Sequence, residues 1–527
     1  MQEEPDEIID WYLNTKNSAR VQVDPSDIER RLDPVDPQIV GNIDLKRILA
    51  LPVVFVVLAV RYLLSGGIEN EDPGMITKVG RIHSREVVQL LAQWGMVAKK
   101  RSKCGVGLFF VPKKDDKLRI IIDARSANEK LQRFGMLTLF SLRDLLVTWT
   151  LFESVVVLDM RHFFWQIALG ENLQQYFGLM EFCLRVVPMG WHSAPYLAQC
   201  IAYAIVLYRE AGQDDLGVQL DGKEMPKFLE IRRGGKVIGR LLVLIDGIAI
   251  ATRCRTTRRL WEKRIQTNMK RLRVALKNRV ENEFCGVRFG AQGWQAIAKV
   301  GRLSEEPTRR EVAQVLGSIL WILRVRCCCL LEEEELMRMF SAVGKEGGQW
   351  DASYKLTEQE IRLLEKKIQE CNSDVWTAPE ALGEEGRGME KRKLYMVTDA
   401  TPVEIAWLEM ENGGVKKSGS RTIKGDQVIQ ELRAVVSGVE EATRNMTHVK
   451  VIVGCDAEIV RRVVEKMYSK SEQLREELRN LNRMKKERNL EIEIKRVPGE
   501  ENAANELSRG KETILDKVKQ TWERIRN

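Results

Sequence analysis

Two apolar runs of strand length each end in a carboxylate, Val155 to Asp159 and Leu241 to Asp246. Such runs belong inside a sheet, and their acids then stand where the strands end. A lone Asp at a strand end is ordinarily a cap or turn residue, so each depends on its flanks for meaning. Paired on neighbouring strands, they suit phosphoryl transfer, which commonly uses two divalent cations about 4 Å apart held by carboxylates from separate strands. Magnesium prefers oxygen ligands and keeps water in its shell, so two or three acids suffice.

The chain around these runs is long enough for several domains. Its 527 residues correspond to three or four units at roughly 150 residues each. Apolar residues make up 44% and charged residues 30%, which permits packed cores and excludes a wholly disordered chain. A net charge of +9 allows a nucleic-acid partner without demanding one. The acidic start MQEEPDEIID has no apolar core of a signal peptide. Cysteines are scattered apart from Cys327, Cys328 and Cys329, with no C-x-x-C pair and four histidines in all. The expectation is a reducing, intracellular location, cytoplasm or nucleus, without structural zinc.

The run Ile48 to Val60 has no polar side chain and is interrupted by Pro52. A spanning helix needs about 20 residues, so a buried helix or strand pair is expected, with a membrane-associated segment as the alternative. Residues 1–75 read as an acidic, proline-containing arm followed by this apolar segment. A helical pattern near 76–100 precedes a β-hairpin, Val106 to Val111 and Lys117 to Asp123, with a basic tip. Residues 251–280 hold eleven Lys or Arg against one acid, Glu262. Trp261, Ile265, Met269, Leu272 and Leu276 recur at helical spacing there, so an amphipathic helix carrying its charge outward is expected. Such a face is either simply solvated or contacts a polyanion. Residues 301–371 look helical, 372–392 mix Gly, Pro and charge as a linker, and 393–527 open on an alternating strand.

In order, residues 106–317 resemble a reverse transcriptase of the LTR-retrotransposon or DIRS-like type. VPKKDDKLRIIIDARSAN resembles the fingers motif, with Lys113, Lys114, Arg119, Asp123, Arg125 and Asn128. VLDMRHFFWQI resembles the first palm motif, with Asp159 and Phe164. VVPMGWHSAPYLAQ resembles the second, through Pro188, Gly190, Ala194, Pro195 and Gln199. LLVLIDGIAI aligns with the turn that normally ends in two aspartates, FCGVRFG resembles the primer grip, and EPTRREVAQVLG the start of the connecting helices.

The resemblance implies a right-hand polymerase in residues 76–300, an α+β fold of fingers and palm with an antiparallel palm sheet, and thumb or connection helices in 301–371. It implies that Asp159 and Asp246 hold two Mg2+ (or Mn2+) ions. Lys113, Lys114 and Arg119 would grip the triphosphate, Phe164 would exclude a 2′-hydroxyl, and Gly190 and Gln199 would line the nucleotide site. Arg258, Arg259, Lys263 and Arg264 are the candidate nucleic-acid contacts of the basic helix. Two features depart from the pattern. Gly247 stands in place of the second aspartate, and Gln199 to Asp246 spans 47 residues, with 210–236 as a polar insertion.

Residues 393–510 resemble a ribonuclease H domain, an α/β fold with its own pair of cations. YMVTDA supplies Asp399, IQELRAV Glu431, and VIVGCDA Asp456. RVPGEENAANELSRG resembles the last motif, but Asn505 replaces the fourth acid, which keeps an oxygen ligand and loses its charge. The implied function is an RNA-directed DNA polymerase with ribonuclease H, acting on RNA template, DNA primer, RNA/DNA hybrid and deoxynucleoside triphosphates. The alternative is an impaired or domesticated relative that binds the duplex without turnover. No stable membrane association is expected.

Overall fold

The structure, a computed structural model, describes residues 30–66, 69, 85–112, 117–209, 224–345, 350–379, 381–382, 392–469 and 471–526. The chain divides into two compact units, Met1–Ile297 and Ala298–Asn527.

In the first unit the apolar run becomes helix α1 (Val54–Ser65), which starts two residues after Pro52 and stops at Gly66 with φ 115°. Phe55, Val56, Ala59, Val60, Tyr62 and Leu63 are buried, and Phe55 meets Tyr203 edge-on at 5.8 Å. The run is therefore a core helix. Among the described residues, no helix is long and apolar enough to cross a membrane. Strands β1 (Gly107–Pro112) and β2 (Leu118–Asp123) form the expected antiparallel hairpin. Its tip, with Lys113 and Lys114, lies outside the described residues.

The central sheet of this unit contains β3 (Ser154–Met160), then, after helix α2 (Ala194–Leu207), β4 (Leu229–Arg233), β5 (Lys236–Leu244) and β6 (Gly247–Thr252). Helix α3 (Arg255–Arg271) leads into its last strand, β7 (Leu276–Glu281). The order is β7-β3-β6-β5-β4 with every neighbour antiparallel. Of the segment 210–236, residues 210–223 lie outside the described residues. The rest makes edge strand β4 and a tight turn at Gly234 and Gly235, both at positive φ. Helices α2 and α3 are tied together by Asn268, whose Nδ2 donates to the carbonyls of Ile205 (2.9 Å) and Tyr208 (3.0 Å).

Helix α3 is shorter than its apolar spacing predicts. Arg273 turns left-handed at φ 60°, and the Val274 N–H bonds back to the Met269 carbonyl at 2.7 Å, closing the helix end. Leu276 consequently opens a strand. Next comes a three-stranded meander of β8 (Glu283–Phe284), β9 (Val287–Gly290) and β10 (Gly293–Ala296).

The second unit begins with α4 (Arg309–Val325), α5 (Glu334–Lys345) and α6 (Glu358–Asn372). Reciprocal capping boxes, Thr308 with Glu311 and Thr357 with Glu360, start α4 and α6. A five-stranded sheet comes after them: β11 (Arg392–Ala400), β12 (Glu404–Glu411), β13 (Gly414–Thr422), β14 (Val449–Cys455) and β15 (Glu491–Arg496). Its order is β13-β12-β11-β14-β15, antiparallel through the first three and parallel from β11 to β14 to β15. Helix α7 (Gln427–Ala442) crosses between β13 and β14. Helices α8 (Glu458–Lys466) and α9 (Glu472–Glu487) join β14 to β15, and α10 (Ala504–Leu507) and α11 (Leu515–Arg526) end the unit.

Composition marks 372–392 as the main boundary, yet the compact division falls after Ile297. The reason is packing. Leu331 shares the apolar core of the C-terminal sheet, and Glu334 pairs with Arg475 (3.2 Å) and Arg479 (2.8 Å) on α9.

Two candidate carboxylate centres

The first centre lies where β3 ends beside the turn between β5 and β6. In the β3–β6 ladder Asp159 stands opposite Gly247, and the Met160 N–H donates to the Asp246 carbonyl at 2.7 Å. This register brings Asp159 and Asp246 to one end of the sheet. Desolvation first, and the Asp159 charge second, raise the Asp246 carboxyl above the ordinary range. Arg119 on β2 is exposed and near enough to pull it part of the way back.

The turn carrying Asp246 is strained. Ile245 has φ 48°, a left-handed conformation costly for a β-branched residue. Gln199 holds it there: its Oε1 accepts from the Ile245 N–H at 2.6 Å, and its Nε2 donates to the Val243 carbonyl at 2.7 Å. Gln199 is fully buried, so its amide is occupied by backbone and positions the turn. The expected direct nucleotide contact does not fit that geometry. Gly190, at φ 120°, lies so close to β2 that a Cβ would overlap the Ile122 carbonyl oxygen. Asn128 bridges the same loop, donating to the Gly190 carbonyl at 3.2 Å and accepting from the His192 N–H at 3.0 Å. Asp123 is held bidentate by Arg125 at 2.8 and 2.7 Å. Phe164 is half-buried against the core.

Two neighbours of this centre do not follow from motif reading. Lys277 sits at an irregularity in the β7–β3 register and sets its Nζ 3.0 Å from Asp159 Oδ2. Phe284 covers Gly247: a Cβ at 247 would come within 2.9 Å of its Cε2. The ring is backed by Trp149 and Phe140, with centroids at 6.2 and 6.0 Å. The space for a second aspartate side chain is therefore taken.

The basic helix also differs in detail from its sequence pattern. Arg259 and Lys263 are exposed and Arg264 lies over the Trp261 ring at 5.2 Å. Arg258 turns inward, bonding Glu281 at 3.1 Å and the Val155 carbonyl at 3.3 Å, so it is not available on the outer face.

The second centre belongs to the C-terminal unit. Asp399 lies on β11, Glu431 one turn into α7, Asp456 just past β14, and Asn505 on α10. Ligand atoms of Glu431, Cys455 and Asp456 lie within 4.8 Å of one another. Gln427 fixes Glu431 by donating to Oε1 at 2.8 Å, while the buried Oε2 has no hydrogen-bond partner. The Ser508 hydroxyl donates to Asp399 Oδ2. Asn505 Nδ2 is spent on the Gly499 carbonyl at 2.8 Å, beside Asp456. Burial, followed by the charges of Asp399 and Asp456, pushes Glu431 up to about 8. Burial also lifts Asp399 to about 6, with Asp456 adding to it against the Ser508 bond. Asp456 is raised by desolvation as well.

These residues fit a hard divalent cation. A buried carboxylate oxygen without a hydrogen-bond partner, beside further acids, offers the hard oxygen ligands that such a cation takes. The first centre fits less completely, with two carboxylates, one of them paired to Lys277.

No protein-family model and no curated protein matches the chain. Among solved structures it is similar to the foamy viral protease–reverse transcriptase, a dRH form with double-stranded DNA, at 14% identity and TM-score 0.45, covering 94% of this chain and 84% of that one. The complex with RNA/DNA hybrid gives 14% identity and TM-score 0.46, covering 94% of this chain and 63% of that one. A third, with double-stranded DNA, gives 15% identity and TM-score 0.40, covering 90% and 98%.

Proposed function

We propose that the chain is an RNA-directed DNA polymerase joined to a ribonuclease H, the first unit transferring nucleotides and the second cleaving the RNA strand of a hybrid. The observation carrying this is the register that sets Asp159 beside Asp246 at one end of an antiparallel sheet. The order β13-β12-β11-β14-β15, with Asp399 on its central strand and Glu431 and Asp456 close to one another, supports the nuclease reading. Divalent cations, when bound, would activate the attacking oxygen and neutralise charge on the leaving group. The residues that would hold them are Asp159 and Asp246 in one centre, and Asp399, Glu431 and Asp456 in the other, with Asn505 at its rim.

The protein's own groups do the positioning. Gln199 holds the strained turn that carries Asp246. Arg119 adds positive charge near Asp246, where it would grip a triphosphate. Ser508 and Gln427 fix the rotamers of Asp399 and Glu431. Arg259 and Lys263 present charge to a phosphate backbone.

Primer extension on an RNA template, with magnesium and then manganese, tests the reading beside Asp159→Ala. Extension by the unmodified chain that disappears in the variant is expected. A second reading, duplex binding without turnover, is favoured by the Lys277–Asp159 pair and by Phe284 over Gly247. Hybrid binding with no extension in either metal would select it.

A further inference from the structure

The nuclease-type centre contains a sulfur ligand that hydrolysis of a phosphodiester does not need. Cys455 ends β14, one residue before Asp456, and its Sγ lies within 4.8 Å of carboxylate oxygens of both Glu431 and Asp456. Among the described residues this is the one such three-ligand group. Glu431 is only 5% exposed, and its Oε2 is buried without a partner. That unpartnered oxygen, independent of the thiol, points to a ligand in the same place.

Two oxygens and one sulfur are a poor set for magnesium, which takes oxygen alone, and a good one for zinc-class ions, which accept thiolate and carboxylate together in tetrahedral geometry. At that spacing one ion can take an atom from each of the three residues, which leaves the fourth position of a tetrahedron to water. The Cys455 side chain is buried beside the two carboxylates. When a dipositive ion binds there, the S–H proton passes to solvent as the metal–sulfur bond forms.

We infer that Glu431, Cys455 and Asp456 form a mixed oxygen–sulfur site for a zinc-class divalent cation, overlapping the proposed magnesium site and incompatible with its use in hydrolysis. The inhibitory consequence rests on the nuclease reading; the binding does not. The site gives the chain a means of being silenced by zinc-class ions at concentrations where magnesium alone would support cleavage.

The test is a titration of the full chain with Cd2+, read by thiolate-to-cadmium absorption in the ultraviolet, and with Zn2+, read by calorimetry. Wild type is compared with Cys455→Ser and Glu431→Gln, each first checked for folding by circular dichroism. The Ser variant should lose one thiolate's share of the cadmium band, and both variants should weaken the tightest zinc equivalent by about tenfold or more. Unchanged spectra and zinc affinity in Cys455→Ser would overturn the site. Should that variant misfold, unchanged zinc affinity in Glu431→Gln overturns it equally. A chain that binds zinc as described but never cleaves hybrid would refute the nuclease reading and leave the metal site standing.

Discussion

Single side chains decide how each centre works, and Gly247 shows it most plainly. An aspartate there would meet Phe284 at 2.9 Å from its Cβ alone, and that ring packs against Trp149 and Phe140. Gly247→Asp should therefore cost about 1–3 kcal/mol through overpacking, without raising extension. Adding Phe284→Leu should recover part of the loss in a thermal melt; a Gly247→Asp protein as stable as wild type contradicts this packing. Gln199→Ala removes the side-chain partner of the buried Val243 carbonyl, at about 1–3 kcal/mol, and of the part-buried Ile245 N–H, at less. As a positioning residue it should lower kcat more than it raises the nucleotide KM; a pure KM effect would return it to direct contact. Glu431, pushed up to about 8, keeps its proton at neutral pH until a cation enters. Its folded value lies above its ordinary 4.5, so the cation-free protein loses stability as pH rises from 4.5 towards about 8. Magnesium binding should release about one proton at about pH 7 and almost none at about pH 9, measured by calorimetry in buffers of different ionisation enthalpy. Equal release at both pH values would contradict burial as the cause of the raised value.

At the scale of elements, the basic helix α3 separates charges that sequence spacing treats alike. Arg259 and Lys263 are exposed, whereas Arg258 is committed to Glu281 and the Val155 carbonyl. Replacing Arg259 and Lys263 by Gln should flatten the salt dependence of hybrid binding by about 0.9 for each phosphate no longer neutralised. Arg258→Gln should instead lower the melting temperature and leave the slope alone, and the reverse pattern would show that the helix face is misassigned. The apolar strand runs, the hairpin at 106–123 and the helix patterns were legible because each rests on local periodicity. The end of α3 was not, since a left-handed Arg273 breaks the helix while Leu276 still falls at helical spacing in the sequence. Lys277, Phe284 and Cys455 were illegible for a related reason. Their proximity to the carboxylates comes from a ladder irregularity, a neighbouring meander and a strand end, none of which leaves a mark in spacing. The acids themselves were legible as candidates because ordered flanks set them apart from ordinary strand caps.

Across the whole molecule, the two centres sit in different compact units, Asp159 and Asp246 in the first and Asp399, Glu431 and Asp456 in the second. Each is assembled from its own sheet, so each should fail separately. The second has three buried-to-half-buried carboxylates and an orphan oxygen, while the first has two with a lysine on one of them. The proposed function makes them a polymerase centre and a nuclease centre on one chain. The most direct measurement gives a labelled RNA/DNA hybrid with a recessed primer to wild type, Asp159→Ala and Glu431→Gln, with magnesium, reading extension and RNA cleavage in the same samples. The predicted result is that Asp159→Ala abolishes extension and keeps cleavage, and Glu431→Gln does the opposite. Loss of neither activity in its matching variant, or the absence of both from wild type, would contradict the two-centre assignment.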